Sequence, residues 1–159
     1  MPVAAIAWAR LSLIALTLAQ PPAVPIAAQA AQEVHLVGMA AGEQLNDAEL
    51  EKGTNIVIVW ACWSPSSRDI VDRVHSVAGH WKARARILTI DFEEDRPTIK
   101  AFLGGRTLDV PIFLDVDGAL SKKYAVATLP GLLVVVDGKV RYHGKLPEDP
   151  DRLLTDLLH

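Results

Sequence analysis

Two largely apolar runs, at residues 55–60 and 87–91, constrain the fold of this 159-residue chain more than any other feature. Both runs are rich in β-branched residues and lack polar alternation, so each predicts a strand covered on both faces. The segment between them carries apolar residues at helical spacing, namely Ile70, Val71, Val74, Val77, Ala78 and Trp81. The order strand, helix, strand indicates parallel strands joined by a helical crossover.

Shorter elements complete the pattern on either side of this unit. They are a leading strand at 34–37, a helical turn at 45–50, a short helix at 97–103, extended chain at 110–114, a helical turn at 119–124, a hairpin of strands 132–136 and 139–143, and a closing helix at 150–158. The Asp137-Gly138 pair is a strong signal for the hairpin turn. We therefore predict one α/β domain over residues 31–159, with a central mixed sheet flanked by helices.

The first thirty residues differ from the rest of the chain. Arg10 precedes an apolar run at 11–19, and the small residues Ala28 and Ala30 follow a proline-rich stretch. This order predicts a secretory signal peptide over residues 1–30 and an exported, periplasmic or otherwise extracytoplasmic protein. The apolar run is about half of the ~20 residues that a spanning helix needs, so we expect no stable membrane insertion after cleavage.

Composition excludes several classes of function. The net charge is -3, which provides no basic surface for nucleic acid. The single cysteine, Cys62, allows no intramolecular disulfide and no thiolate-rich metal cluster, and the five histidines are scattered. We therefore expect neither a metal site nor a cofactor. The acidic run at 91–95 is interpreted as helix-dipole chemistry rather than as a cation site.

The segment at residues 59–68, with the sequence Val-Trp-Ala-Cys-Trp-Ser-Pro-Ser-Ser-Arg, resembles a known active-site motif. It is similar to the F-W-A-x-W-C-x-x-C-R motif of thioredoxin-like proteins, in particular the exported TlpA- and ResA-type thiol–disulfide oxidoreductases. In this resemblance Ser64 and Ser67 take the places of the two cysteines. Cys62 falls on the variable residue before the second tryptophan.

A second segment supports the same resemblance. Residues 124–130, Tyr-Ala-Val-Ala-Thr-Leu-Pro, resemble the family's Y-x-V-x-x-x-P sequence, and residues 136–140 resemble its D-G-K hairpin. The resemblance implies a thioredoxin fold in which Pro130 follows a cis peptide bond and faces the active site. It also implies that polar residues of the family are replaced here by Ile58, Ile70 and Ile87.

The serines determine what chemistry this motif can support. Dithiol exchange requires a thiolate at the first cysteine and a second thiol that resolves the mixed disulfide. A serine hydroxyl can supply neither, although Ser64 and Ser67 are both suited to capping the following helix. The resemblance thus implies a degenerate active site, and whether the chain is an enzyme stays open.

Three functions follow from these residues. The first is a redox-inactive module whose groove, formed by Trp63, Pro65, Leu129 and Pro130, binds a polypeptide or protein partner without covalent chemistry. The alternative is a TlpA-type oxidoreductase or a monothiol enzyme that uses Cys62. The competing interpretation of Cys62 is an inert, partly buried residue. The third is a subunit that interacts through the basic stretch at 82–86.

Overall fold

The computed structural model describes residues 33–159, so the predicted signal peptide lies outside the described residues. Within these residues the strands are β1 (His35–Gly38), β2 (Gln44–Asn46), β3 (Thr54–Trp60), β4 (Arg86–Phe92), β5 (Ile112–Asp115), β6 (Gly131–Val136) and β7 (Lys139–Lys145). The helices of the same part of the chain are α1 (Asp47–Leu50), α2 (Ile70–Trp81), α3 (Arg96–Leu103), α4 (Ala119–Lys123) and α5 (Pro150–Leu158). The strands form one sheet in the order β2-β1-β5-β4-β3-β6-β7.

The predicted parallel unit lies at the centre of the sheet. Strand β3 pairs with β4 in parallel, with Trp60 opposite Asp91, and β4 pairs with β5 in parallel. Strand β6 joins the other side of β3 in antiparallel orientation, and its Gly131 lies opposite Val59. The carboxyl ends of β3 and β4 and the amino end of β6 therefore meet at the same end of the strands.

Alternate side chains of β3 enter two separate apolar clusters. Ile56, Ile58 and Trp60 belong to a cluster that includes buried residues of α2, α3 and α5. Val57 and Val59 belong to a cluster on the opposite face, which includes residues of α1 and α4. All five side chains are fully buried, and burial of each aliphatic one contributes about 1.5–3 kcal/mol. The two clusters therefore cover β3 on both faces of the sheet.

The expected helical turn at 45–50 is only partly correct. Leu45 lies in β2, where it pairs with Leu36 of β1, and the helix begins at Asp47. Asn46 ends the strand and caps the helix, accepting a hydrogen bond from the Glu49 amide at 3.0 Å. A three-residue strand is too short to show a hydrophobic period, so the sequence pattern did not separate it from the helix.

The basic stretch at 82–86 is partly involved in packing. The Arg84 guanidinium lies over the Trp81 ring, 4.4 Å from its centroid, and its Nη1 lies 3.1 Å from Nε2 of His159. These contacts connect the end of α2 to the end of α5. The arginine thereby contributes to helix packing, which weakens the interpretation of this stretch as a docking surface.

Strands β2 and β7 form the two edges of the sheet, and β7 carries Lys139, Arg141 and Lys145. Within residues 33–159, none of the helices combines the length and the apolar character that crossing a bilayer requires.

Candidate functional site

The motif that carries the predicted site begins where β3 ends. Trp60 and Ala61 are fully buried, Cys62 is half-buried, and Trp63 has 61 % of its surface exposed. A 3₁₀ turn at Pro65–Ser67 follows, and α2 begins three residues later. The chain thus leaves the core, exposes one large aromatic side chain, and returns to the core at the start of α2.

Ser64 and Ser67 are both buried, but neither caps a helix. The Ser64 hydroxyl donates to the carbonyl oxygen of Leu129 at 3.4 Å, and no side-chain cap is formed at the 3₁₀ turn. The Ser67 hydroxyl has no hydrogen-bond partner within residues 33–159. The expected capping of α2 is therefore wrong, because the 3₁₀ turn separates both serines from the helix, whose N-cap is Asp69.

The loop before β6 faces Ser64. The Leu129–Pro130 peptide bond is cis, as the sequence resemblance implies. Pro130 is buried, and its carbonyl oxygen accepts a hydrogen bond from the Leu146 amide at 2.9 Å. A Cβ atom on Gly131 would lie 2.5 Å from Cγ1 of Val126 and 2.7 Å from the carbonyl oxygen of Thr128. Only glycine fits at this position unless the loop moves.

A groove of about 490 Å³ runs beside the two serine positions. It is lined by Pro65, Ser66, Arg68, Asp69, Arg73, Pro130, Lys145, Leu146 and Glu148. Two of the four predicted groove residues, Pro65 and Pro130, are therefore in its wall. Leu129 contributes the carbonyl that Ser64 contacts, and Trp63 presents most of its ring to solvent.

Arg73 stabilises the far wall of this groove. Its Nη2 donates to the carbonyl oxygens of Leu146 and Pro147, at 3.0 and 2.6 Å. Because Arg73 belongs to α2, these bonds fix the segment after β7 against the helix. The wall opposite Pro65 is consequently held by charge-assisted hydrogen bonds rather than left as a loose loop.

Cys62 lies beside two carboxylates that the sequence did not place near it. Its amide donates to Oε2 of Glu94 at 2.6 Å, and ligand atoms of Cys62, Asp91 and Glu94 all lie within 4.8 Å of one another. Burial raises the pKa of the Cys62 thiol well above its usual range, and Glu94 and the charge of Asp91 add to the effect. Burial, with contact from Glu94, also raises the pKa of Asp91 to about 8.

The acidic run at 91–95 thus has two roles. Asp95 caps α3 by accepting from the Thr98 amide at 2.9 Å, as the helix-dipole interpretation requires. Asp91 belongs to β4 and is fully buried, and Glu94 reaches back to Cys62. The signal that could have revealed this cluster is the parallel pairing of the two strands, which brings Asp91 level with Trp60.

The family of the chain follows from its sequence as a whole. Residues 27–143 match the AhpC/TSA family. The chain belongs to the AhpC/TSA family. No curated protein matches the chain.

Solved structures show that this AhpC/TSA-family chain has a thioredoxin-like fold. The MTB protein dsbF is 16 % identical, with a TM-score of 0.67 over 80 % of this chain and 95 % of its own. A secreted Mycobacterium tuberculosis disulfide oxidoreductase homologous to E. coli DsbE is 18 % identical, with a TM-score of 0.64 over 82 % and 98 %. StoA from Bacillus subtilis is 18 % identical, with a TM-score of 0.62 over 79 % and 97 %. The predicted fold class is confirmed.

Apolar residues of this AhpC/TSA-family chain fill the interior behind the motif. Ile58 and Ile70 are fully buried in the first apolar cluster, and Ile87 is buried there as well. These are positions at which the sequence resemblance implies polar residues in the oxidoreductases. Here they pack against neighbouring side chains, and an aliphatic side chain has no group with which to move a proton.

Proposed function

We propose that the chain is a redox-inactive, exported thioredoxin-fold module that binds an extended polypeptide without forming a covalent bond to it. The observation that carries this proposal is the position of Ser64, whose hydroxyl faces the Leu129 carbonyl beside Pro130. In the TlpA- and ResA-type branch that the motif resembles, the first cysteine belongs at this position. The proposal places the chain in that branch, with serine at both cysteine positions.

The loss of dithiol chemistry follows from the properties of the hydroxyl group. A thiolate attacks a substrate disulfide, forms a new S–S bond and releases the other sulfur as a thiolate. The hydroxyl of Ser64 ionises far less readily than a thiol and forms no stable bond to sulfur. Ser67, at the resolving position, is buried, and its hydroxyl has no partner among the residues that the structure describes. Neither half of the exchange reaction is therefore available at this site.

The surface that remains is suited to binding extended chain. Trp63 is 61 % exposed, and aromatic residues of this size are frequent anchors in protein recognition. The pairing of β6 with β3 begins at Gly131, so the backbone of Leu129 lies beyond that ladder. A partner strand could pair with this backbone while its side chains contact Trp63 and Pro65.

Export is part of the proposal for two reasons. The sequence predicts a signal peptide over residues 1–30, which ends just before the domain. The similar M. tuberculosis protein is described as secreted, and a pneumococcal thioredoxin of similar fold is described as an exposed lipoprotein. An exported protein meets other chains before they are folded, which is when extended polypeptide is available.

The test is a binding measurement with fluorescently labelled, cysteine-free extended peptides. We expect saturable binding by the unaltered chain and a loss of at least about tenfold in affinity for Trp63→Ala, as for an anchor residue. The matched control is Val140→Ala, because Val140 is an exposed apolar residue on β7 at the opposite end of the sheet. Absence of binding, or equal losses in the two variants, would remove the proposal.

The alternative of a monothiol enzyme is less well supported by the geometry. Cys62 precedes the 3₁₀ turn and α2, so it does not lie at a helix N-terminus where a thiolate would be stabilised. Its neighbours Asp91 and Glu94 disfavour a negative charge on sulfur. The half-buried cysteine is better explained as part of a different site.

A further inference from the structure

Three side chains from separate parts of the chain converge next to the motif. Cys62 follows β3, Asp91 lies near the end of β4, and Glu94 lies in the turn before α3. A sulfur or oxygen atom from each residue lies within 4.8 Å of the other two. The Cys62 amide also donates to Glu94 at 2.6 Å, which fixes the Glu94 side chain toward the cluster.

Asp91 is the second observation that points to a ligand. Its side chain is 0 % exposed, and neither carboxylate oxygen has a hydrogen-bond partner within residues 33–159. A buried carboxyl group is paired, hydrogen-bonded or coordinated to a metal, or it keeps its proton. Its closest polar neighbours are another carboxylate and a thiol, so the cluster requires either a cation or a shared proton.

We propose that Cys62, Asp91 and Glu94 bind a Zn²⁺ ion. The thiolate is a soft ligand and the carboxylates are hard, a mixture that suits the borderline zinc ion. Calcium and magnesium take oxygen ligands only, so the sulfur disfavours them. Three protein ligands leave a fourth tetrahedral position for water, on the half-exposed side where Cys62 and Glu94 reach the surface.

The spacing of the three groups is compatible with this ion. Tetrahedral zinc with ordinary bond lengths holds its sulfur and oxygen ligands roughly 3.3–3.6 Å apart. The three atoms all lie within 4.8 Å of one another, so bringing them to that spacing requires shifts of at most about 1.5 Å. Rotation of the Glu94 carboxylate about its hydrogen bond to the Cys62 amide can supply part of that movement.

A bound ion would act on the neighbouring surface. Cys62 is adjacent to Trp63, and the ion would connect this segment to β4 and to the turn before α3. The proposed peptide-binding function neither requires nor implies this ion. Each of the two proposals is therefore tested by its own measurement.

The test is titration of the full chain with Zn²⁺, and with Co²⁺ as its spectroscopic substitute. We expect one ion per chain and a thiolate-to-cobalt charge-transfer band in the near ultraviolet. Cys62→Ser, Asp91→Asn and Glu94→Gln should each weaken Zn²⁺ binding by at least about tenfold, and Cys62→Ser should abolish the band. The matched control is Glu93→Gln, an exposed carboxylate adjacent to Glu94, which should leave affinity unchanged.

Several outcomes would overturn the site. They are no Zn²⁺ binding in the micromolar range, a cobalt spectrum without the thiolate band, or an equal loss for Glu93→Gln and Glu94→Gln. The first of these would indicate that a shared proton alone holds the cluster. Circular dichroism shows whether each variant folds. If Asp91→Asn does not fold, the Zn²⁺ affinities of the Cys62 and Glu94 variants test the site.

Discussion

The hydroxyl oxygen of Ser64 lies 3.4 Å from the carbonyl oxygen of Leu129, the residue before Pro130, and donates a hydrogen bond to it. This bond is long and therefore weak, yet it joins two segments that are 65 residues apart in the chain. The same carbonyl would be available to an extended ligand lying along the groove. A ligand must therefore either share this acceptor with Ser64 or displace the hydroxyl.

The first prediction concerns the two serines together. Ser64→Cys combined with Ser67→Cys should confer catalysed insulin reduction, because two thiols then stand at the ends of the turn before α2. The unaltered chain should show no rate above that of dithiothreitol alone. Ser64→Cys alone should form mixed disulfides that no second thiol of the chain resolves, so they are released only by dithiothreitol and the rate should stay well below that of the double variant. The measurement is insulin turbidity with dithiothreitol, with Ser66→Cys as the control for an extra thiol on the same turn.

Turnover by the unaltered chain would contradict the redox-inactive assignment. If that turnover disappeared in Cys62→Ala, the monothiol enzyme would become the better explanation. If the double variant stayed inactive while folded, the assignment of the serines to the two cysteine positions would lose its main support.

The second prediction compares two buried serines. Ser67→Ala should raise the free energy of unfolding by about 1 kcal/mol, because it removes a buried hydroxyl that has no partner in the described part of the chain. Ser121→Ala should lower it by roughly 1.5–3 kcal/mol, because that hydroxyl donates to Asp115 at 2.8 Å. Urea unfolding of both variants provides the measurement. A clear loss of stability in Ser67→Ala would show that its hydroxyl has a partner.

The third prediction compares two glycines. Gly131→Ala should destabilise the chain by roughly 1–3 kcal/mol and weaken peptide binding, because its Cβ would collide with Val126 and the Thr128 carbonyl. Gly79→Ala in α2 should stabilise the chain by about 0.5–1 kcal/mol, since no atom of residues 33–159 outside the local helix backbone lies within 4 Å of the added Cβ. The measurement is the midpoint of thermal unfolding of each variant. Similar shifts of the midpoint in the two variants would show that the loop before β6 moves to accommodate the added methyl group.

The fourth prediction concerns Cys62 in chelator-treated protein. Because burial and two carboxylates raise the pKa of its thiol, alkylation by iodoacetamide should stay slow through the pH range near 8.5 where an ordinary thiol becomes reactive. As the pH rises further the rate should increase, and Glu94→Gln should move that increase to lower pH. The urea-unfolded chain is the control. If the folded chain reacted at the same pH as the unfolded chain, the raised pKa of the Cys62 thiol would be contradicted.

Part of the site could be predicted from the sequence because it depends on local pattern. The run at 55–60 and the position of Pro130 predict that Ser64 and the cis peptide lie at the same end of the strands. The structure shows this arrangement. The 3₁₀ turn could not be predicted, because Ser and Pro suit both a helix cap and a tight turn. That ambiguity led to the wrong capping expectation for Ser64 and Ser67.

The cluster of Cys62 with Asp91 and Glu94 was not predicted, for a different reason. Asp91 and Glu94 are near each other in sequence, but their relation to Cys62 depends on the pairing of β3 with β4, in which Trp60 lies opposite Asp91. Spacing rules for metal ligands detect residues on one helix or loop, and these three lie on separate segments. Only the tertiary arrangement brings the sulfur to the carboxylates.

The outermost strand has a consequence for the behaviour of the protein at high concentration. Strand β7 carries Lys139, Arg141 and Lys145 along an edge whose outward backbone groups are unpaired within the described sheet. Two molecules that tried to join through this edge would bring six positive charges together, which opposes open-ended fibre growth. Raising ionic strength should therefore promote self-association, and neutralising these three side chains should have the same effect in dilute salt.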